Sequence, residues 1–72
     1  MKLAELVEDG FKYIARDQNG DLYAFRAKPE KRTKVWISFD IHRLVNNSEL
    51  DFIKWEDEEP YNITDLIRGK QK

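Results

Sequence analysis

Four groups of residues in this chain have types and spacings that could do chemistry. They are the lone histidine His42; the oxygen-bearing set Asp17, Asn19 and Asp21; the acidic run Glu56, Asp57, Glu58 and Glu59 behind Trp55; and the basic stretch Lys28, Lys31, Arg32 and Lys34. One histidine and no cysteine exclude a His–His metal pair, an HExxH site, thiolate catalysis and every cysteine-based zinc or iron–sulfur centre. A Ser–His–acid triad can be drawn from Ser38 or Ser48, but neither serine has the glycines of a nucleophile elbow, and Ser38 is flanked by Ile37 and Phe39. His42 reads as a surface or partly buried histidine near a strand end.

Asp17, Asn19 and Asp21 alternate as the first ligands of a calcium loop do. An EF-hand then needs Gly at loop position six and a bidentate Glu at position twelve. Those places hold Leu22 and Lys28, and Gly20 falls one residue early, where a hairpin needs it. The set therefore reads as a turn, with no metal and no cofactor. No GxGxxG or Walker motif exists, because Gly10, Gly20 and Gly69 are scattered.

The acidic run has oxygens enough for a cation, but adjacent residues point different ways, and four consecutive carboxylates do not converge unless a turn folds them. It is either a solvated edge or, with Trp55, a docking surface for a partner protein. The basic stretch, with Tyr23, Phe25 and Trp36 on neighbouring strands, suggests the alternative: small sheets hold nucleic acid by stacking bases on rings and pairing phosphates with Lys and Arg. Against this, nine aromatics are the means by which so short a chain builds a core.

The scaffold behind these groups is small. A chain of 72 residues buries only about 60% of its unfolded surface, which allows one domain over residues 1–72 and one modest core. Net charge is −1, but segment 26–34 sets five basic residues against Glu30 and segment 49–59 sets six acidic residues against Lys54. Two opposite local charges therefore lie on one small body. Glu5, Glu8 and Asp9 interrupt any apolar stretch near the start, and no window approaches the roughly 20 apolar residues of a membrane span. The expectation is a cytoplasmic protein without a membrane contact.

Leu3, Leu6 and Val7 before Gly10 predict a short helix closed by a left-handed glycine. Alternation over 11–16 and 22–27 around Asn19-Gly20 predicts a hairpin. Val35, Ile37 and Phe39, alternating with Trp36, Ser38 and Asp40, predict a third strand of an antiparallel meander after a polar connection through Pro29. Ile41, Leu44 and Val45 suggest one helical turn, residues 50–55 a fourth strand, and Asn62 the N-cap of a final helical turn closed by Gly69. The fold class is α+β: a small twisted antiparallel sheet of three to four strands, one face covered, with short helices at both ends.

Segments 10–17 (GFKYIARD), 20–29 (GDLYAF through KP) and 52–60 (FIKWEDEEP) resemble, in this order, a set of small uncharacterised proteins encoded by phages and prophages of Gram-positive bacteria. The resemblance covers about three-quarters of the chain and implies a setting, a bacterial host cell, rather than a mechanism; it carries no catalytic residue or cofactor. Within that setting the leading expectation is a non-enzymatic module that binds a host or phage protein through Trp55, Glu56, Asp57, Glu58 and Glu59. The alternative is a nucleic-acid binder using Lys28, Lys31, Arg32 and Lys34. A small sheet leaves edges, so either a monomer or a homodimer is expected.

Overall fold

A computed structural model describes residues 3–69. Helix α1 (Leu3–Glu8) is followed by the hairpin β1 (Tyr13–Arg16) and β2 (Leu22–Phe25), the short pair β3 (Glu30–Lys31) and β4 (Trp36–Ile37), strand β5 (His42–Val45), a single 3-10 turn (Ser48–Leu50), strand β6 (Tyr61–Asn62) and helix α2 (Ile63–Ile67). Four strands form one antiparallel sheet in the order β5-β2-β1-β6, and β3 and β4 make a second sheet of two strands. This is the small α+β fold that the residue pattern predicts. No helix among the described residues is long and apolar enough to cross a membrane.

Helix α1 ends as its sequence requires. Phe11 N–H donates to Leu6 O (2.9 Å) and Gly10 N–H to Val7 O (3.0 Å), with Gly10 at φ +94°, the double closure of a Schellman motif. The same closure drops Phe11 beside Leu6 in the core. At the other end the Asn62 side chain accepts from Asp65 N–H (3.2 Å), and Gly69, at φ +78°, closes α2 through Leu66 O.

The β1–β2 hairpin forms, with a turn other than the two-residue Asn-Gly type. Gly20 N–H donates to Asp17 O (3.0 Å), Asp17 N–H donates to Asp21 O (2.8 Å), and among residues 17–21 only Gly20 has positive φ, at +99°. This is a four-residue turn followed by a glycine bulge. Asn19 Oδ1 accepts from Asp21 N–H instead of entering the left-handed region.

Three elements differ from the residue pattern. The third strand of the main sheet is β5, formed from the residues expected as a helical turn. Leu22 faces Val45, Tyr23 faces Leu44, Ala24 faces Arg43 and Phe25 faces His42, so one apolar side chain, Val45, is buried and Leu44 and Ile41 are left outside. Segment 35–39 supplies only β4, paired with β3 inside the supposed polar connection; Trp36 points inward while Val35, Ile37 and Phe39 point outward. Segment 50–55 is no strand: it coils after the 3-10 turn so that Leu50 and Ile53, three apart, are both buried, and β6 takes the fourth place beside β1.

Both faces of the sheet are covered, rather than one. Ile14, Leu22, Ala24 and Val45 pack with Leu6, Phe11, Leu50, Ile53 and Ile63 on one side. On the other, Ala15 and Phe25 pack with Trp36, with Tyr13, Tyr23 and Trp55 half-buried around them. Alternation in β2 divides its side chains between the two layers: Leu22 and Ala24 serve one, Tyr23 and Phe25 the other.

Candidate functional site

The basic stretch and the acidic run meet. Lys31 lies on β3, and its side chain crosses to segment 55–57, where the ammonium donates to the carbonyls of Trp55 and Asp57 (3.1 Å to the latter). The same ammonium sits 4.2 Å from the Trp55 ring centroid and 5.7 Å from that of Trp36. Lys28 Nζ approaches Glu59 at 3.6 Å, and Arg32 pairs with Glu30 at 2.8 Å, both well exposed. The +4 and −5 segments inferred from charge counting therefore face one another.

Segment 55–60 is held as a strap across this layer. Asp57 Oδ2 accepts from Lys54 N–H (3.0 Å), closing a turn. Burial, together with a hydrogen bond to the Asp57 carboxylate and its charge, pushes the Tyr61 hydroxyl above the usual tyrosine range. Of the proposed contact residues, Trp55 and Asp57 are thus occupied in holding the fold and Glu59 is partly neutralised by Lys28. Glu56 and Glu58 remain exposed and form no ion pair among the described residues. Of the basic residues, Lys28, Lys31 and Arg32 have partners, and Lys34 is exposed at the hairpin end.

Between strap and hairpin lies an open groove of about 410 Å³, with Pro29, Pro60 and Trp36 as apolar lining and Glu58 and Glu59 at its rim. Lys28 and Glu30 line this groove and also a second one that contains Ile37 and Phe39. The strap and the outward side of β4 are therefore parts of one continuous surface.

That outward side carries the feature the residue pattern hid. Ile37 is 49% exposed, Phe39 93%, Ile41 57% and Leu44 57%: four large apolar side chains within eight residues. The alternation of Val35, Ile37 and Phe39 in the sequence signals a buried strand face, and Ile41 and Leu44 a helical turn. The opposite face is buried instead, because Trp36 fills the second layer and its ring N–H donates to Arg16 O (3.1 Å) while its backbone N–H donates to Asp17 Oδ1 (2.9 Å). Burying a tryptophan requires a partner for its ring N–H, and here both N–H groups of Trp36 have one.

Asp17 is accordingly a buried carboxylate that anchors Trp36. Desolvation raises its pKa above the ordinary aspartate value, with a further rise from Asp21; the Trp36 bond and the more distant His42 act the other way. Among the described residues no group of three or more His, Asp or Glu side chains is arranged to hold a metal ion. His42 is exposed on β5, edge-on to Tyr23 with centroids 5.1 Å apart.

No protein-family model, no curated protein and no solved structure matches this chain.

Proposed function

We propose that this chain is a non-enzymatic protein-interaction module. In the phage or prophage setting implied by the sequence resemblance it serves as a cytoplasmic accessory protein. The observation that carries this reading is the apolar run Ile37, Phe39, Ile41 and Leu44, four exposed large side chains within one short stretch of chain, with Phe39 almost wholly in solvent. Leaving a phenylalanine 93% exposed gains nothing for folding, whereas apolar side chains with a charged rim are what a partner protein covers. The acidic strap contributes Glu56, Glu58 and Glu59 as that rim, with Trp55 and Asp57 fixing its course. The nucleic-acid alternative is the weaker one, since Lys28, Lys31 and Arg32 already face carbonyls and carboxylates of the chain itself.

Capture of partners from host-cell lysate on an immobilised chain tests the reading. Phe39→Asp should abolish capture while leaving the circular dichroism spectrum and melting temperature unchanged. Undiminished capture by Phe39→Asp would overturn it. Salt-sensitive retention of DNA, lost in a Lys28→Glu/Lys34→Glu variant, would favour the alternative.

A further inference from the structure

Strand β5 is an edge, and among the described residues no strand pairs with its outer side. Arg26 N–H donates to Ile41 O (3.2 Å), so the carbonyl of Ile41 and the backbone groups of Arg43 and Val45 turn toward β2, and those of His42 and Leu44 turn away from the sheet. Each copy therefore presents two N–H and two C=O groups along one free edge. Edges of this kind are ordinarily guarded by lysine, proline or a bulge. Here the one cation on the strand, Arg43, is folded back onto its own molecule, 2.7 Å from Asp9 and 4.6 Å from the Phe11 ring centroid.

We propose that the occupant of this edge is a second copy of the chain, paired antiparallel through β5 about a two-fold axis to make one continuous eight-stranded sheet. This goes beyond the interaction reading above: the edge takes a second copy, and the surface around Phe39 is left for a different partner. In the register that places Arg43 on the axis, His42 of each copy faces Leu44 of the other and all four outward backbone groups of each copy are satisfied. Ile41 then faces Val45 of the second copy, so Ile41 just before the strand and Leu44 within it, both half-exposed, are covered. Charge fits as well. Asp40 of each copy faces Asn46 of the other, an acceptor against an amide donor, and the two Arg43 side chains meet already neutralised by Asp9. A two-fold contact needs this kind of self-complementarity, and a neutral, unguarded edge supplies it.

Sedimentation velocity of the full chain over a wide concentration range tests the pairing, combined with amide hydrogen exchange at low and high concentration. The expected result is a shift from one-chain to two-chain mass, with exchange at the His42 and Leu44 amides slowing as the dimer forms. Leu44→Lys, at an exposed position, should weaken the dimer at least about tenfold by setting an uncompensated charge on the contact. A monomer at every concentration overturns the proposal, as does a dimer whose His42 and Leu44 amides exchange as fast as in the monomer. A monomer that nevertheless captures a host protein through Phe39 overturns the self-pairing alone. A monomer that captures nothing overturns the interaction reading with it.

Discussion

The Lys31 ammonium stacks on the Trp55 ring, 4.2 Å from its centroid, and donates a hydrogen bond to the carbonyl of that same residue. One side chain thereby joins the basic hairpin to the acidic strap through a ring face and two backbone oxygens. Such a cation is worth more than an exposed ion pair, because carbonyls and rings hold it at a half-buried site.

Lys31→Met keeps most of the aliphatic stem and removes the charge. The variant should lose about 1.5–3 kcal/mol, the usual worth of hydrogen bonds to a charged group. Trp55 fluorescence should shift to the red as the strap loosens. Urea unfolding followed by fluorescence measures both, and an unchanged midpoint would mean that the strap is held by its own turn at Asp57.

Arg16 does for the other layer what Lys31 does here. Its guanidinium donates to Ile53 O (2.6 Å), Leu50 O (3.0 Å) and Gly20 O (2.7 Å), pinning the coil after the 3-10 turn against the β1–β2 turn. Three divergent acceptors suit a planar fork and not a single ammonium. Arg16→Lys should therefore destabilise almost as much as Arg16→Ala, by about 2–3 kcal/mol. A lysine variant with wild-type stability in urea would contradict this.

Local signals were readable from the residues: Gly10 after Leu6 and Val7, Asn62 before Asp65, and the hairpin around Gly20 each act within a few positions. What could not be read was long-range choice. The spacing of Ile41, Leu44 and Val45 suits a helical turn, yet β2 has a free edge and offers four paired residues to an extended strand. Residues 35–39 alternate convincingly, but which half faces inward depends on Arg16 O and Asp17 Oδ1, some twenty positions away, accepting from Trp36. The site suffered the same limit. The acidic and basic segments were visible as charges, whereas their mutual neutralisation and the exposure of Phe39 follow only from tertiary placement.

Gly10 holds φ +94°, and a Cβ built there would lie 3.4 Å from the Arg26 guanidinium. That contact is with the flexible end of an exposed side chain, so backbone strain dominates. Gly10→Ala should cost about 1–2 kcal/mol, the left-handed penalty for a residue with a Cβ. In a domain of this size each kcal/mol lowers the melting temperature by about 4–8 °C, which calorimetry resolves readily. An unaltered melting temperature would show that the Leu6 and Val7 closure bonds are dispensable.

Asp17 makes stability depend on pH in an uncommon direction. Its folded pKa lies above its unfolded one, chiefly through desolvation, so between the two values the folded chain holds more protons than the unfolded chain. The contribution of this residue is fully present below the ordinary aspartate value and is lost as pH rises through the raised folded value. Asp17→Asn keeps an oxygen for the Trp36 N–H, now at 2.9 Å from Oδ1, and removes both the buried charge and its repulsion with Asp21. It should flatten the pH dependence in that window and leave stability at neutral pH equal to or above that of the wild type. Asp17→Ala should instead cost about 1–3 kcal/mol at every pH, because the Trp36 amide is left buried without an acceptor. Urea midpoints of the three proteins across the acid range separate charge from hydrogen bond, and an asparagine variant as weak at neutral pH as the alanine one would show that the charge itself is favourable.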